Sequence, residues 1–341
     1  MKSISFWLDA ARKVALPQSM LPALLAVCMS VQSDGFSLPL ALLAVAGVGL
    51  AHLGMNLFDD YFDYRKKGAV GIRDELANAG FRARIGKCNH ILEGKATARQ
   101  YLWAAIVFCG LAVAAGSVIA YFRGAAIGWF ILIGGFLGVF YSGYPIRFSY
   151  RGLGELLIGI MFGPLTMGGV CYAACGHQEP AVWLVSIPIG LLVANIVYTH
   201  AVMDYEPDKG IRKMTLAVLL GNKQGMLAVS MLLVFAPYVV IAAGMLCGTL
   251  PVSYLAVFLT LPMGIALFVR LIRFTRNEAH EDNSPRFWMG PMENWEQIRQ
   301  AGIDWFMIRW MLARNLVSLF AIILAIASFF PHVYLQLNHH G

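Results

Sequence analysis

Apolar residues fall in long runs along this chain, and polar residues gather in the stretches between them. A helix that crosses the roughly 30 Å apolar core of a bilayer needs about 17–25 such residues. Runs of that kind cover about 15–32, 37–56, 101–121, 125–143, 153–175, 181–203, 225–247, 251–271 and 313–331. Several are separated by only a few residues, as in tight helical hairpins. The pattern predicts an all-α integral membrane protein, a bundle of nine transmembrane helices forming a single domain over residues 1–341. The first run is flanked by Lys2, Arg12 and Lys13, lacks a convincing small-residue cleavage site and is followed at once by a second run. It reads as a retained helix and not as a signal peptide.

Composition agrees. Apolar residues make up 59% of the 341 and charged residues 13%, with a mean hydropathy of +0.65. A soluble domain carries roughly half apolar and about a quarter charged residues, so a disordered chain is excluded and a soluble enzyme disfavoured. The six cysteines are scattered and form no CxxC pair, which argues against a disulfide framework or a zinc site. The net charge of +7 could suggest nucleic acid, but its distribution gives a simpler reason. With the N-terminus in the cytoplasm, nine spans put the C-terminus outside. The connections then left outside are about 33–36, 122–124, 176–180, 248–250 and 332–341, and of the 26 basic residues they hold one, Arg123. That is the asymmetry the positive-inside rule describes. It points to a multi-pass protein of the inner membrane, in contact with lipid and needing no nucleic-acid partner. Long polar connections at about 57–100 and 204–224, and a tryptophan-rich one at about 272–312, all fall on the cytoplasmic face. One site opening to that face is expected.

Two carboxylate clusters stand at cytoplasmic helix ends. The first runs Asn56, Asp59, Asp60, Tyr61, Asp63, Lys67, with Arg73 beyond it. On a continuing helix Asn56, Asp60 and Asp63 share a face, because spacings of three and four bring side chains together. The second runs His200, Asp204, Asp208, Lys209, Arg212, Lys213, Thr215, Leu216, with Asp204 and Asp208 on one face. Clustered carboxylates at a membrane border repel one another. Divalent cations would neutralise them, and oxygen-only ligands suit Mg²⁺, which binds through a few carboxylates together with substrate phosphates. Acids followed by bases at one mouth make the composition of a diphosphate–Mg²⁺ site. Taken singly, either cluster could equally be solvated helix ends carrying topology charges.

These residues resemble the UbiA superfamily of intramembrane aromatic prenyltransferases, and within it the branch that prenylates 1,4-dihydroxy-2-naphthoate in menaquinone synthesis. The resemblance covers roughly 10–330 and rests on Asp59-Asp60-Tyr61-Phe62-Asp63, on Asp204, Asp208, Lys213, Thr215 and Leu216, and on a central segment with Tyr141, Pro145, Arg151, Gly154, Glu155 and Phe162-Gly163-Pro164. Three features depart: where the family's first motif has a further Asp, this chain has Lys67; the polar residues usual before the second motif are His200, Ala201 and Met203 here, with no Arg; and the segment 272–312 is longer and richer in tryptophan than the family's. The resemblance implies transfer of a polyprenyl group from its diphosphate to an aromatic acceptor. Asn56, Asp59, Asp60, Asp63, Asp204 and Asp208 are then the expected metal ligands, with Asp60, Asp63, Asp204 and Asp208 carrying the chemistry. Lys67, Arg73, Lys209 and Lys213 would balance the diphosphate charge, and Tyr141, Arg151 and His200 are further substrate-binding candidates. Other acceptors (4-hydroxybenzoate, homogentisate, a glycerol-phosphate lipid or haem) stay open. A cation-coupled transporter is disfavoured, because the acids lie at helix ends on one side and no internal repeat is evident.

Residues with less to say are Tyr144, which reads as an interface tyrosine, and Trp288, Trp295, Trp305 and Trp310, which read as anchors of an interfacial helix. Gly163, Gly168 and Gly169 read as close-packing positions between helices.

Overall fold

The computed structural model describes residues 2–78, 87–210, 213–277 and 283–330, without the side chains of 73–78. Among these the chain is helical, with one isolated bridge between Arg151 and Met214. In order the helices are α1 (Ile4–Ala10), α2 (Pro17–Ser30), α3 (Leu38–Asn78), α4 (Asn89–Leu92), α5 (Ala98–Arg123), α6 (Ile127–Ser142), α7 (Gly154–Ile160) and α8 (Thr166–Cys175). There follow α9 (Pro180–Met203), α10 (Tyr205–Gly210), α11 (Leu216–Leu220), α12 (Lys223–Leu246), α13 (Leu261–Thr275), α14 (Trp295–Gln300) and α15 (Asp304–Ala327).

Among the described residues seven helical stretches are long and apolar enough to cross a membrane: Leu38–Ile72, Ala98–Arg123, Gly154–Cys175, Pro180–Met203, Lys223–Leu246, Val252–Thr275 and Asp304–Ala327. The first and fourth expected spans are present as α2 and α6, but these are only 14 and 16 residues long. Local chemistry limits them. Pro17 opens α2, and α6 stops at Gly143, two residues before Pro145. On the outer surface α5 and α6 expose Trp103, Val107, Leu111, Trp129 and Leu132. Such surfaces suit lipid and would be a liability in water.

α9 is the central helix. It is apolar all round, as a helix surrounded by protein should be, and it packs on α12, α7, α15 and α2. Its contact with α7 is set by glycine. A Cβ on Gly163 would lie 2.4 Å from the Ser186 carbonyl oxygen and 2.7 Å from the Gly190 Cα. Only small residues allow that approach. Gly168 and Gly169 instead leave room for the rings of Trp183 and Phe130. Between α7 and α8 a single π-turn, Met161–Leu165, accommodates Pro164, which lacks a backbone donor.

Three polar connections are more structured than expected. α3 runs on past residue 57 through the first acidic cluster and kinks at Gly68 (φ 66°, a left-handed value that glycine tolerates). The second connection contains α10 and α11. The third is shorter, because α15 starts at Asp304 and so includes Trp305 and Trp310. Trp305 stacks on Phe274 of α13 with ring centroids 5.7 Å apart. Asn315 Nδ2 donates to the carbonyls of Met289 (3.0 Å) and Pro291 (2.9 Å), which folds the Trp288 turn onto α15. Of the four tryptophans only Trp295 starts a separate short helix, so no single interfacial helix carries all four.

Candidate active site

Asp59 and Asp63 are one turn apart on α3 and line the same side of a cavity of about 270 Å³. Asp208 and Lys213 line it from the second cluster, with His200 from α9 and Glu155 from α7. The two motifs, about 140 residues apart in sequence, therefore face one cavity.

The cations here are specific. Lys87 Nζ lies 3.0 Å from Asp59 Oδ2 and 2.6 Å from Asp63 Oδ2, bridging the two carboxylates. Arg12 Nη2 lies 3.2 Å from Asp59 Oδ2, and Lys67 Nζ lies 3.8 Å from Asp63. Ser142 Oγ donates to Asp59, and the Tyr150 hydroxyl donates to Asp63. Burial opposes the charge on Lys87, but Asp59 and Asp63 outweigh it and hold its pKa well above the ordinary lysine value. Burial likewise opposes the charge on Arg12, and Asp60 and Asp59 overcome it. Burial, reinforced by Asp63, pushes the Tyr150 hydroxyl upward, so it stays protonated as a donor.

Asp60 is placed differently from its neighbours. It is fully buried and does not line the cavity. Its Oδ1 is 3.2 Å from Arg12 Nη2, and its Oδ2 accepts from the Cys88 amide at 2.9 Å. A helix advances about 100° per residue, so Asp59 and Asp60 cannot point the same way, and it is Asp59 with Asp63 that faces the cavity. Asn56 lines a neighbouring cavity, and its Nδ2 donates to the Ala11 carbonyl at 2.9 Å.

In the second cluster Asp208 and Lys213 are paired at 3.2 Å, and the Lys213 amide donates to the Asp208 carbonyl. Asp204 is buried behind them, 3.0 Å from His200 Nε2, and does not line the cavity. His200 is also held edge-on to Phe306, with centroids 5.0 Å apart. Thr215 caps α11, while the Leu216 amide donates to Glu155 Oε1 at 3.1 Å. Arg151 contributes backbone only: its strand-like bridge to Met214 fixes this loop, and its side chain is exposed. Lys209 is exposed as well. The side chain of Arg73 lies outside the described residues.

A second, larger cavity of about 700 Å³ adjoins the first. It is mostly apolar and shares Arg12, Asp59, Tyr141 and Val197 with it. Tyr141 thus stands at the junction, whereas Tyr144 is exposed.

The family model for UbiA prenyltransferases matches residues 19–291, four-fifths of the chain. The chain belongs to the UbiA prenyltransferase family. It is similar to 1,4-dihydroxy-2-naphthoate octaprenyltransferase of Mycobacterium tuberculosis, at 28% identity over 69% of this chain and 78% of that protein. The protein of the same name from Bacillus subtilis is 26% identical over 62% of this chain and 65% of its own length. A solved UbiA homologue from Archaeoglobus fulgidus bound to DMAPP and Mg2+ matches 92% of this chain and 99% of that one, with a TM-score of 0.59 and 16% identity. That likeness establishes a UbiA-type fold. This UbiA member is accordingly a membrane prenyltransferase.

Its residues suit a divalent cation in a particular way. Among the described residues no three carboxylates, histidines or cysteines make a metal centre by themselves. Asp59 and Asp63 nevertheless converge on one positive charge, the Lys87 ammonium. Two oxygen ligands at one cation position are what Mg²⁺ takes from protein when phosphates complete its shell. Sequence reasoning missed Arg12, Lys87, Ser142, Tyr150 and Glu155 as cavity residues. Arg12 looked like a topology charge, and the others carry no spacing signal.

Proposed function

We propose that this UbiA member transfers a polyprenyl group from polyprenyl diphosphate to an aromatic acceptor, 1,4-dihydroxy-2-naphthoate, on the route to menaquinone. The observation that carries this reading is the pair of adjoining cavities. One is polar and holds acids and bases from both motifs, and the other is apolar and large enough for a prenyl chain and a ring. The two similar bacterial proteins named for that acceptor support its identity.

The diphosphate sits in the polar cavity. Asp59, Asp63 and Asp208 would hold Mg²⁺, which supplies Lewis-acid neutralisation of the leaving group when bound. Lys213, Lys87 and Arg12 bring positive charge to departing pyrophosphate, in a site shielded enough for such contacts to count. Asp60 and Asp204 act from behind, fixing Arg12 and His200. The allylic fragment becomes cation-like at the junction, where the face of Tyr141 can stabilise it. The electron-rich ring attacks the allylic carbon as its bond to the diphosphate oxygen breaks. The ring gives up the group displaced at that position (a proton, or the carboxyl as CO2), and the prenylated product leaves between helices into lipid. Nine spans with the cavity facing the cytoplasm complete the proposal.

The test incubates purified protein with labelled polyprenyl diphosphate, Mg²⁺ and a panel of aromatic acceptors. Labelled 1,4-dihydroxy-2-naphthoate product is expected, lost with EDTA and restored by Mg²⁺. Transfer only to a different acceptor would overturn the substrate, and no transfer to any acceptor would overturn the reading.

A further inference from the structure

The apolar cavity contains one feature that its prenyl-holding role does not explain. His52 lies on α3 within the Leu38–Ile72 stretch, one turn before Asn56 and two turns before Asp59. It is 7% exposed and lines the cavity. Its Nδ1 is 2.6 Å from the Oγ of Ser19, which is fully buried on α2. Its ring lies against Phe162, with centroids 5.0 Å apart. Phe162 belongs to the π-turn, so α2, α3 and the π-turn together fix the imidazole. Nε2 takes no hydrogen-bond partner among the described residues.

Nε2 is not among the polar atoms sealed in protein; it opens on the cavity, where an unpaired polar atom facing only hydrocarbon is costly. At membrane depth the cost is larger, and polar groups held there mark substrate paths. Here one nitrogen is fixed by serine and the other is left toward an apolar cavity. A group that only lined the path of a hydrocarbon tail would be better apolar.

We infer that His52 Nε2 is the anchor for a ring hydroxyl of the aromatic acceptor, making it a specificity-determining residue for hydroxyarenes. This rests on the proposed prenyl transfer. The Ser19 hydroxyl already donates to the Leu16 carbonyl, so Nδ1 donates to Ser19 and Nε2 is left an acceptor, which a ring hydroxyl can serve and a methoxy group cannot. The distance fits as well. Seven residues of helix separate His52 from Asp59, about 10 Å along the axis. A ring anchored at His52 therefore lies beside the diphosphate cavity, in reach of the allylic carbon, with Phe162 against one of its edges. A site built to bond a hydroxyl rejects analogues lacking it, since its own polar atom is then stranded.

The experiment compares binding of 1,4-dihydroxy-2-naphthoate and its 1,4-dimethoxy analogue to full-length protein in detergent. Both are measured without donor, so ring reactivity plays no part. Wild type should bind the dihydroxy compound at least about tenfold tighter, one hydrogen bond's worth. His52→Phe keeps the volume and the ring contact but removes both nitrogens. It should bind the two compounds equally, raise the acceptor KM and leave the donor KM unchanged. His52→Gln should recover part of the preference, which a purely packing role would not predict. Melting temperature checks the fold of each variant. A wild type that prenylates the acceptor, with His52→Phe retaining the preference for hydroxyls, overturns this assignment alone. A wild type that prenylates no hydroxyarene overturns the functional reading and the assignment with it.

Discussion

At Asp59 and Asp60, two adjacent carboxylates have been given different work by the helix they share. Asp59 faces the cavity and meets Lys87, while Asp60 is sealed against Arg12 and the Cys88 amide. Asp60→Asn should therefore act first on stability. Breaking a buried ion pair by removing one partner costs about 3–5 kcal/mol, so a clear fall in melting temperature is expected. Asp63 is buried and paired as well, but it lines the cavity beside Asp59, which still holds Lys87. Asp63→Asn should therefore lower the melting temperature by less and abolish transfer, and equal effects of the two would contradict the division. Lys213 gives a second prediction. It lines the cavity 3.2 Å from Asp208, whereas Lys223 is exposed at the start of α12. If the Lys213 ammonium meets the leaving group, Lys213→Gln should lower kcat/KM by about 30- to 1,000-fold, the scale of one electrostatic contact in a shielded site. Lys223→Gln should change it little. Steady-state kinetics of both variants, with donor concentration varied, makes the comparison.

The elements bring these residues together through a few close contacts. α7 and the π-turn that follows it touch α9 at Gly159, Gly163 and Gly190, with backbone on backbone. Because the atoms facing Gly163 are main chain, no rotamer change can make room. Gly163→Val should push the π-turn off α9, which carries His200 and is capped by Asp204, and overpacking of this kind costs about 1–3 kcal/mol. Gly110 on α5 has nothing within 4 Å of an added Cβ, so Gly110→Ala should be neutral or slightly stabilising. Melting temperatures in detergent separate the two cases. The same elements show what was legible in the sequence. Apolar runs located every long helix, because hydrophobic length is written in one dimension. The acid clusters were legible because helix-end carboxylates at spacings of three and four are rare beside apolar runs. Which carboxylate faces inward was not legible, since the helix's rotation is set by packing against α5, α6 and α8. Lys87 could not be found either: its partners lie 24 and 28 residues away, and only the fold returns it to them. The segment 272–312 read as one loop because its tryptophans and charges hid the first turns of α15.

For the whole molecule the number of membrane crossings turns on two short helices. α2 and α6 are 14 and 16 residues long, about 21 and 24 Å at 1.5 Å per residue, against roughly 30 Å of hydrocarbon. A short helix can still cross if flanking residues extend it or the bilayer thins. α6 favours crossing, because exposed aromatics stand near both its ends, Trp129 and Tyr144, as interface anchors do. Charge favours it too, since nine crossings leave one basic residue, Arg123, on the outer side. Parity turns this into a measurement. Between Ile4 and Lys95 lie α2 and α3, so the two residues share a side only if α2 crosses. Between Lys95 and Cys247 lie α5, α6, the α7–α8 unit, α9 and α12, so these two are on opposite sides only if α6 crosses. Ile4 and Lys95 are exposed, and Cys247 is an exposed native thiol. Ile4→Cys and Lys95→Cys, each in a Cys247→Ser background, can be probed in cells with a membrane-impermeant maleimide, beside the wild type. Nine crossings predict that Cys247 is labelled in intact cells and that both introduced thiols are labelled only after permeabilisation. Labelling of Lys95→Cys and Cys247 from the same side would show that α6 does not cross. Labelling of Lys95→Cys from outside would place the mouth of the Asp59–Lys87 cavity there, and the cytoplasmic donor would have to be abandoned.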